Sequence, residues 1–433
     1  MISVAAGLLF GLAPLRNATN APMALALKNS ALSSQQDKDK SRSGKFIVAL
    51  QMSLCLVLLV AAGLLLRTLQ NLSRANLGFR AAGLLVFGID PPASIKGDQQ
   101  VAQFYTHLLE RLRGLPEVES ATVMGNRIGA GWSNNTAVHV DGADPTPGKF
   151  PAIRWNMVGP DYFHVLGAPL RLGRDISQSD TASAPRIAVV NQTFVDRYLA
   201  GRSPLGHQMA LETYGDKFGE PYSIVGIVPD LKYTAVREKA RPMAWLPYTQ
   251  FPGASSMQLE LRARGNPAAL LDDARTIVRE FGPDIPLLEP MTQVEQLQES
   301  YSSEQLFSRL AVFFGALAAF LVAIGLYGTL AYRVSRRTAE IGVRMALGAQ
   351  RKQVLWMVLR ESLVMAAVGV AVGLPLAFAA ARLLKAMLFG LSAADPLTFL
   401  LALIGIAGVA LLSALLPARR ASSVDPMVAL RYE

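Results

Sequence analysis

Four long stretches without a charged residue constrain this chain more than any other feature of its sequence. They cover residues 46–66, 311–332, 362–381 and 397–418. A helix needs about 20 mostly apolar residues to cross a hydrocarbon core about 30 Å thick, and each stretch is long enough to do so. With 51% hydrophobic and only 17% charged residues, the chain is also more apolar than an ordinary soluble domain. The sequence therefore predicts an integral membrane protein whose four full spans form an α-helical bundle.

Basic residues beside these stretches predict the orientation of the chain. Four Lys and Arg residues lie within 38–45, six within 333–352 and three within 419–431. Simple alternation of the spans puts these three segments on one side, and short basic segments mark the cytoplasmic side. Segment 68–305 then lies outside. We therefore expect a multi-pass inner-membrane protein with a large periplasmic domain.

Composition and scattered polar residues argue against several other classes of protein. The net charge of +10 does not indicate nucleic acid as a partner, because the basic residues lie mostly beside the apolar stretches and no nucleic-acid-binding motif accompanies them. Cys55 is the only cysteine, so no intrachain disulfide can form. The four histidines are too widely spaced to suggest zinc ligands. We expect neither a metal site nor nucleic-acid binding.

The outer segment, residues 68–305, alternates between strand-like and helix-like patterns. An apolar run at 84–89, a helical period at 99–115 and a second run at 118–123 predict a β-α-β unit. Further strands are predicted at 187–190, 222–228 and 257–261, and further helices at 192–198 and 267–281. The sequence predicts a large α+β extracytoplasmic domain.

No catalytic motif stands out in this domain. Gly142 and Gly148-Lys149 come nearest to a phosphate loop, but the glycines are one residue too far apart and Phe150 replaces the Ser or Thr that would hold magnesium. Asp272 and its neighbour Asp273 are more simply a solvated helix face than a pair of catalytic carboxylates. We expect this chain not to be an enzyme and to bind no cofactor.

An internal similarity suggests a duplicated architecture. A short apolar run at 1–15 precedes its basic residues, which does not fit a signal peptide. Aligned without gaps, residues 13–28 resemble 416–431, with a proline and an arginine at matching positions. Because repeats indicate duplicated units, we interpret 1–28 as a remnant of the last transmembrane helix of a first module and 29–44 as a cytoplasmic linker. Chance similarity is the alternative.

A short segment between the second and third spans is the best candidate for a functional site. Thr338 is a suitable N-cap and Gly348 a typical end for a short helix. Glu340 and Arg344 have the i,i+4 spacing of an ion pair. The candidate site residues of this segment are Arg337, Glu340, Ile341, Gly342, Arg344, Met345, Ala346, Leu347 and Gly348.

Two interpretations of this helix are open. An amphipathic helix can lie among lipid headgroups at the membrane surface. It can also insert into a groove of a protein partner. The second interpretation fits at least as well, because the apolar face formed by Ile341, Met345 and Leu347 is short and has no aromatic residue.

The same segment carries the pattern Arg-x-x-Glu-Ile-Gly-x-Arg-x-Ala-x-Gly-Ala, from Arg337 to Ala349. By this pattern the chain resembles the FtsX-like and MacB-like permeases of ABC transporters. The outer segment is similar to the MacB-type periplasmic core domain through short motifs at 158–163, 172–174, 189–191, 204–206 and 224–228. The chain looks most like the tandem acidobacterial permeases, which carry two modules, but it lacks almost all of the first.

The resemblance implies a domain plan and a mechanism. It implies a transmembrane helix at 45–67, a MacB-type core domain at 68–305 and an FtsX-like permease domain with three spans at 306–433. A separate cytoplasmic ATPase dimer would bind ATP and grip the helix around 340–347, and a second permease module would complete the unit. Substrate extrusion would then follow by mechanotransmission. Lipoprotein or lipid release, and signalling to a periplasmic partner such as a cell-wall hydrolase, are the alternatives.

Two further patterns concern the helices that leave the membrane and the packing of the third span. Residues 292–310 form an amphipathic run that we expect to continue into the second span as a helical stalk, with 64–77 as its counterpart after the first span. Gly369 and Gly373 have the Gly-x-x-x-Gly spacing that allows close contact between membrane helices, although ordinary packing is an equal alternative. Pro375 is expected to kink the same helix.

Overall fold

The computed structural model of the protein describes residues 33–143, 152–213, 217–253 and 255–423, without the side chains of residues 33–45 and 339. The first-module remnant at 1–28 and the rejected phosphate-loop residues 148–150 lie outside the described residues. The chain divides into two compact units. We call residues up to 66 and from 308 onward the membrane unit, and residues 67–307 the α+β unit.

The elements follow one another in a mixed order. The helices are α1 (Ser33–Ser73), α2 (Asp98–Arg113), α3 (Tyr162–Leu166), α4 (Gln192–Tyr198), α5 (Leu270–Phe281), α6 (Gln293–Glu299), α7 (Ser302–Arg336), α8 (Thr338–Ala346), α9 (Arg351–Leu383) and α10 (Pro396–Ser422). The strands are β1 (Leu84–Ile89), β2 (Val118–Met124), β3 (Asn134–Val140), β4 (Ala152–Val158), β5 (Leu172–Gly173), β6 (Ile187–Asn191), β7 (Gln208–Leu211), β8 (Tyr222–Val228), β9 (Met243–Pro247), β10 (Met257–Ala263) and β11 (Leu288–Thr292). Short 3₁₀ turns occur at Tyr248–Gln250, Pro267–Ala269 and Leu384–Met387.

Four helices of the described chain are long and apolar enough to cross a membrane. They are Phe46–Ser73, Ser302–Arg336, Arg351–Met387 and Pro396–Ser422, and each contains one of the predicted uncharged stretches. Their exposed surfaces are rich in Leu, Phe, Val and Ile, as expected of side chains that face lipid. The prediction of a membrane helical bundle is confirmed.

The first span lies at the centre of the membrane unit. In its most apolar window 44% of the residues are buried, compared with 17% for the span in α7. Met52 and Leu56 of α1 are fully buried. Helices α9 and α10 also pack together, and the Ser362 hydroxyl donates a hydrogen bond of 2.8 Å to the carbonyl of Ala410. A hydroxyl inside the bilayer is thus satisfied by a neighbouring helix.

One sheet passes through the whole α+β unit. The order of neighbouring strands is β11-β1-β10-β2-β4-β3-β7-β8-β6-β9, and β9 also pairs with β4. The last six strands therefore close into a ring. The other four join this ring through the single pair Met124 and Val158. The unit consists of a closed six-stranded part, an open four-stranded part and the two-residue strand β5, which pairs with β8.

The open part contains the predicted β-α-β unit with a strand inserted. Both β1 and β2 pair antiparallel with β10, so β1 and β2 run parallel to each other on either side of it. Helix α2 covers one face of this sheet. Its buried residues, Val101, Phe104, Tyr105, Leu108, Leu109 and Leu112, are those that the helical period predicts.

The local structure differs from the sequence pattern at two places and agrees with it at a third. The run at 292–310 is not one helix, because α6 ends at Glu299 and α7 begins at Ser302. The Ser300 and Tyr301 N–H groups bond to the carbonyls of Leu297 and Gln298, three residues back, at 3.1 and 3.2 Å, and Tyr301 is buried, so a tighter turn separates the two helices. Residues 33–44, expected as a linker, are helical. The cap of the 267–281 helix is confirmed, since the Asn266 side chain accepts from the Ala268 N–H at 3.1 Å.

Candidate functional site

Helix α8 is the predicted short helix between the second and third spans. The prediction that Thr338 caps it is wrong, because Arg337 occupies the N-cap position and makes no side-chain cap bond. The Thr338 hydroxyl instead donates to the carbonyls of Val334 at 3.1 Å and Ser335 at 2.9 Å. These carbonyls lie in the last turn of α7, and that of Val334 also accepts from the Arg337 N–H at 3.2 Å. Thr338 therefore ties the start of α8 to the end of the second span.

The other end of α8 is closed by a Schellman motif. Gly348 has a φ of 97°, a conformation that glycine adopts without steric cost. Its N–H bonds to the Met345 carbonyl at 3.0 Å, and the Ala349 N–H bonds to the Arg344 carbonyl at 3.0 Å, which is the pairing that defines this motif. Gln350 then begins α9 with a capping box. Only four residues separate α8 from α9, so the helix is held firmly at both ends.

One face of α8 packs against its own bundle. Ile341 is only 2% exposed and belongs to the same hydrophobic core as Leu330 of α7 and Val358 of α9. Gly342 is buried beside it, and Met345 packs partly against this core. The inner face therefore seats α8 on the membrane unit.

The opposite face of α8 is exposed. Leu347 is 83% exposed and Val343 43%, and Ala346 is exposed beside them. Arg344 and Glu340 form the predicted i,i+4 ion pair at 2.7 Å, with side chains that are 53% and 49% exposed. The outer face thus presents two apolar side chains and a pair of opposite charges. Leu347 does not join Ile341 and Met345 on the inner face.

An ion pair that sequence reasoning missed lies beneath α8. Arg333 of α7 bonds to Glu361 of α9, and the two side chains are only 14% and 28% exposed. Both line a shallow depression together with Arg337, Ile341 and Val358. In the sequence these two charges only mark the ends of apolar stretches. Their pairing joins α7 to α9 where α8 sits.

Gly369 and Gly373 of α9 lie against α1 rather than against α8. A Cβ atom placed on Gly369 would lie 2.6 Å from the Met52 Cβ, and one on Gly373 would lie 3.0 Å from the Ser53 Cα. No side chain fits at such distances without movement. The two glycines therefore allow the backbones of α1 and α9 to approach closely.

The α+β unit contains a fully buried carboxyl group that no sequence pattern revealed. Glu260 of β10 is fully buried, and neither of its oxygens has a hydrogen-bond partner. Burial raises the pKa of Glu260 to about 8, although the nearby Arg262 guanidinium lowers it. The side chain therefore favours its neutral form. Arg262 is occupied by bonds to the carbonyls of Val165, Ala82 and Arg80.

Other acidic and histidine residues of the α+β unit do not converge. Asp272 is exposed and pairs with Arg275 on its own helix at 2.6 Å, as expected of a solvated face. Within the ranges that the structure describes, no three His, Cys, Asp or Glu side chains group as metal ligands would.

A bundle of four spans with a short helix seated between two of them, together with a large α+β unit between the first and second spans, defines a polytopic membrane protein with an extracytoplasmic domain. Residues 312–426 match the FtsX-like permease C-terminal model. Residues 46–279, more than half of the chain, match the MacB-like periplasmic core domain model. The chain belongs to the MacB-like and FtsX-like family of ABC transporter permeases.

Similar proteins come from several bacteria. A probable export ATP-binding/permease protein of Pseudomonas fluorescens is 25% identical over 322 residues, a match that covers 68% of this chain and 47% of that protein. The uncharacterized ABC transporter permease YvrN of Bacillus subtilis is 23% identical over 296 residues, covering 64% and 69%. The macrolide export ATP-binding/permease protein MacB of Neisseria gonorrhoeae is 26% identical over 289 residues, covering 64% and 43%. The chain thus spans about half the length of the first of these relatives.

Two solved structures are similar to about half of the chain. The periplasmic region of MacB from Actinobacillus actinomycetemcomitans has a TM-score of 0.33 and 12% identity, covering 52% of this chain and 94% of that one. The extracellular domain of the noncanonic ABC-type transporter YknZ from Gram-positive bacteria has a TM-score of 0.31 and 13% identity, covering 47% and 100%.

Proposed function

We propose that this chain is the permease subunit of an ABC transporter in which a separate ATPase dimer drives substrate movement on the extracytoplasmic side. In this proposal ATP is bound by the partner, and this chain binds no cofactor. A second permease module, either another copy or a paired chain, completes the unit. The spans lie in the inner membrane, with α8 on the cytoplasmic side and the α+β unit in the periplasm.

The two faces of α8 are the observation that supports this proposal. A helix that only rested on lipid would turn its apolar side chains towards the membrane. Ile341 instead packs into the protein core, while Leu347 and Val343 are exposed on the side away from it. An exposed apolar pair beside the charged pair Arg344–Glu340 suits a groove on a protein partner.

The attachment of α8 explains how force would enter. Thr338 bonds it to the end of α7, and the Arg333–Glu361 ion pair joins α7 to α9 beneath it. An ATPase that pulls or pushes the outer face therefore acts directly on two membrane helices. Because interfaces and packed cores move as units rather than deform continuously, mechanotransmission is the mechanism that we propose.

The decisive experiment places a charge on the exposed outer face of α8 and measures whether an ATPase still copurifies with the chain. Leu347→Asp should abolish copurification of an ATP-hydrolysing partner from native membranes, because loss of a central apolar contact costs about 2 kcal/mol or more, roughly a 30-fold weaker complex. Leu170→Asp is the matched control, since Leu170 is also an exposed apolar residue but lies in the α+β unit. It should retain the partner.

A charge swap separates recognition from helix stability. Glu340→Lys breaks the ion pair on α8, and Glu340→Lys with Arg344→Glu restores it in reversed order. If the partner reads this surface, both variants lose ATPase binding. Recovery of ATPase binding in the double variant would show that the ion pair acts only by stabilising α8 and is not recognised by the partner. Absence of any ATPase with the unsubstituted chain, or labelling of residues near 340 by an impermeant reagent in intact cells, would contradict the proposed function.

The substrate belongs to the proposal as well. Several similar proteins are named for macrolide export, so a macrolide is the first compound to test for stimulation of the partner's ATP hydrolysis. Stimulation that Leu347→Asp removes and Leu170→Asp preserves would support export of such a compound. A partner whose activity responds only to a lipoprotein or to a cell-wall hydrolase would favour release or signalling instead.

A further inference from the structure

The connection between β2 and β3 contains an exposed tryptophan, and we call its residues 126–132 the tryptophan loop. Gly129 and Gly131 have φ values of 89° and 83°, conformations that other residues rarely adopt. Asn126 and Arg127 at its root are buried, whereas Trp132 is 56% exposed. The loop therefore has a fixed base and an accessible tip.

Helix α6 holds the middle of the tryptophan loop through buried side chains. Gln293 is fully buried, and its amide donates to the Ile128 carbonyl at 2.9 Å. Gln296 is also buried, and its oxygen accepts from the Arg127 guanidinium at 3.2 Å. The Gln296 amide lies 3.5 Å from the Gly129 carbonyl. A displacement of α6 therefore acts on three consecutive residues of the loop.

Arg127 anchors the same loop to the open sheet. Its Nε donates to the Gln258 side chain at 2.7 Å, and one terminal nitrogen donates to the Leu288 carbonyl at 2.9 Å. Gln258 lies on β10 and Leu288 begins β11. A buried guanidinium needs all of these partners, because leaving one unmade costs the desolvation of a charged group. The base of the loop is thus fixed in several directions.

A second route connects the first turn of α7 to the segment that follows β8. Glu304 pairs with Arg237 at 3.1 Å, with side chains that are 16% and 29% exposed. The neighbouring Glu238 is bonded to Arg154 of β4 and accepts from the N–H groups of Tyr233 and Thr234. The segment 233–238 is consequently a compact unit, and the Arg237–Glu304 ion pair attaches α7 to it.

This segment holds Gly129 and Gly131 of the tryptophan loop through backbone bonds. The Gly129 N–H bonds to the Tyr233 carbonyl at 2.7 Å, and the Gly131 N–H bonds to the Thr234 carbonyl at 3.1 Å. The route from α6 and the route from α7 therefore meet on the same few residues. These contacts all lie within the α+β unit.

We propose that the junction of α6 and α7 moves the tryptophan loop, with Gln293, Gln296 and Arg237 as the positioning residues that transmit the movement to Trp132. The inference rests on the proposed function, in which the second span is displaced by the ATPase. Directional hydrogen bonds between buried groups suit this role, because a contiguous bonded network with few alternatives can carry a displacement. Trp132 is then the accessible end of the mechanism.

The first test uses the full chain alone in detergent. Gln293→Leu with Gln296→Leu releases the α6 route, and Arg237→Ala releases the α7 route. Hydrogen exchange at the Gly129 and Gly131 amides should rise about tenfold in each variant, since the loss of one such bond corresponds to about a factor of ten. Exchange in α2 should not change.

Two controls distinguish transmission from general loss of stability. Arg111→Ala removes the surface pair Arg111–Glu280, whose side chains are 56% and 45% exposed, and should leave loop exchange unchanged. Arg237→Glu with Glu304→Arg restores the α7 pair in reverse and should return loop exchange towards its original value. Equal loosening of α2 in the route variants, or no change in the loop, would overturn the inference.

The second test adds the partner. A spin label at Trp132→Cys reports loop mobility, with the unsubstituted chain as the labelling control because Cys55 is buried. Its mobility should differ between ATP and ADP in the complex, and Arg237→Ala should remove the difference while the ATPase stays bound. If the mobility of the spin label is the same with ATP and with ADP in a complex that hydrolyses ATP, only this inference is overturned. Failure of the unsubstituted chain to bind any ATPase overturns the proposed function and this inference with it.

Discussion

Replacement of Gly369 by alanine tests the packing of the membrane unit most directly. The added Cβ would lie 2.6 Å from the Met52 Cβ and 3.1 Å from the Ala49 carbonyl oxygen. Carbon atoms pack best at about 3.5–4.0 Å, so α1 and α9 must separate locally by about 1 Å. Overpacking of this kind costs about 1–3 kcal/mol.

Alanine substitutions at two other glycines of the membrane unit serve as references for the loss of stability. Gly408→Ala meets nothing within 4 Å, so it changes helix propensity without a new contact. Gly373→Ala has its nearest contacts at 3.0–3.1 Å and should lie between the two. We expect Gly369→Ala to be less stable than Gly408→Ala by about 2 kcal/mol. This difference corresponds to roughly a 30-fold larger fraction of molecules in which the helical bundle is open.

The native cysteine supplies the assay. Cys55 is 1% exposed and lies on α1 close to Met52 in sequence, so its modification by a maleimide reports opening of the bundle. We would measure the rate in detergent with increasing dodecyl sulfate. The expected order of rates is Gly369→Ala, then Gly373→Ala, then Gly408→Ala. Equal rates for the first and last variants would refute the close approach of α1 and α9.

Three further predictions address other parts of the chain. Burial raises the pKa of Glu260 from 4.5 to about 8, so between these pH values the native state keeps a proton that the unfolded state has lost. The free energy of unfolding should therefore fall by about 1.4 kcal/mol for each pH unit from 4.5 to about 8. Denaturant unfolding of Glu260→Gln should not show this dependence on pH. Asn191→Ala removes bonds to the Phe194 and Met243 amides and should cost about 3 kcal/mol in thermal unfolding. Asn191→Asp should lose at least as much, because its carboxylate would replace the amide that donates to Asp230 at 2.6 Å. Arg333→Ala should weaken the seat of α8 by about 2 kcal/mol, seen as faster hydrogen exchange in α8, whereas protection equal to that of the exposed-site control Arg360→Ala would contradict the role of the ion pair.

Elements with a strong local signal could be predicted from the sequence. The spans follow from uncharged apolar length, and the buried face of α2 follows from its helical period. The end of α8 at Gly348 depends on one residue type that tolerates a positive φ. In each case the information lies within a few turns of chain.

The parts that could not be predicted depend on distant residues. Ser300 and Tyr301 carry no strong helix-breaking signal, so the gap between α6 and α7 depends on where Tyr301 is buried. Glu260 looks like a solvent-facing strand residue until the packing around β10 is known. Arg333 and Glu361 are 28 residues apart, and only the arrangement of α7 and α9 brings them together.

The closed ring of strands limits how another polypeptide can attach to the α+β unit. Peptides often bind by adding a strand to an open sheet margin, but β4 and β9 pair with each other, and β5, which pairs with β8 of the ring, is only two residues long. Among the described strands, β11 is the terminal one of the open part, and it is short and contains Pro290. A protein that contacts the ring must therefore recognise it mainly by side chains and turns, and a contact of this kind can form and release without rearranging the sheet.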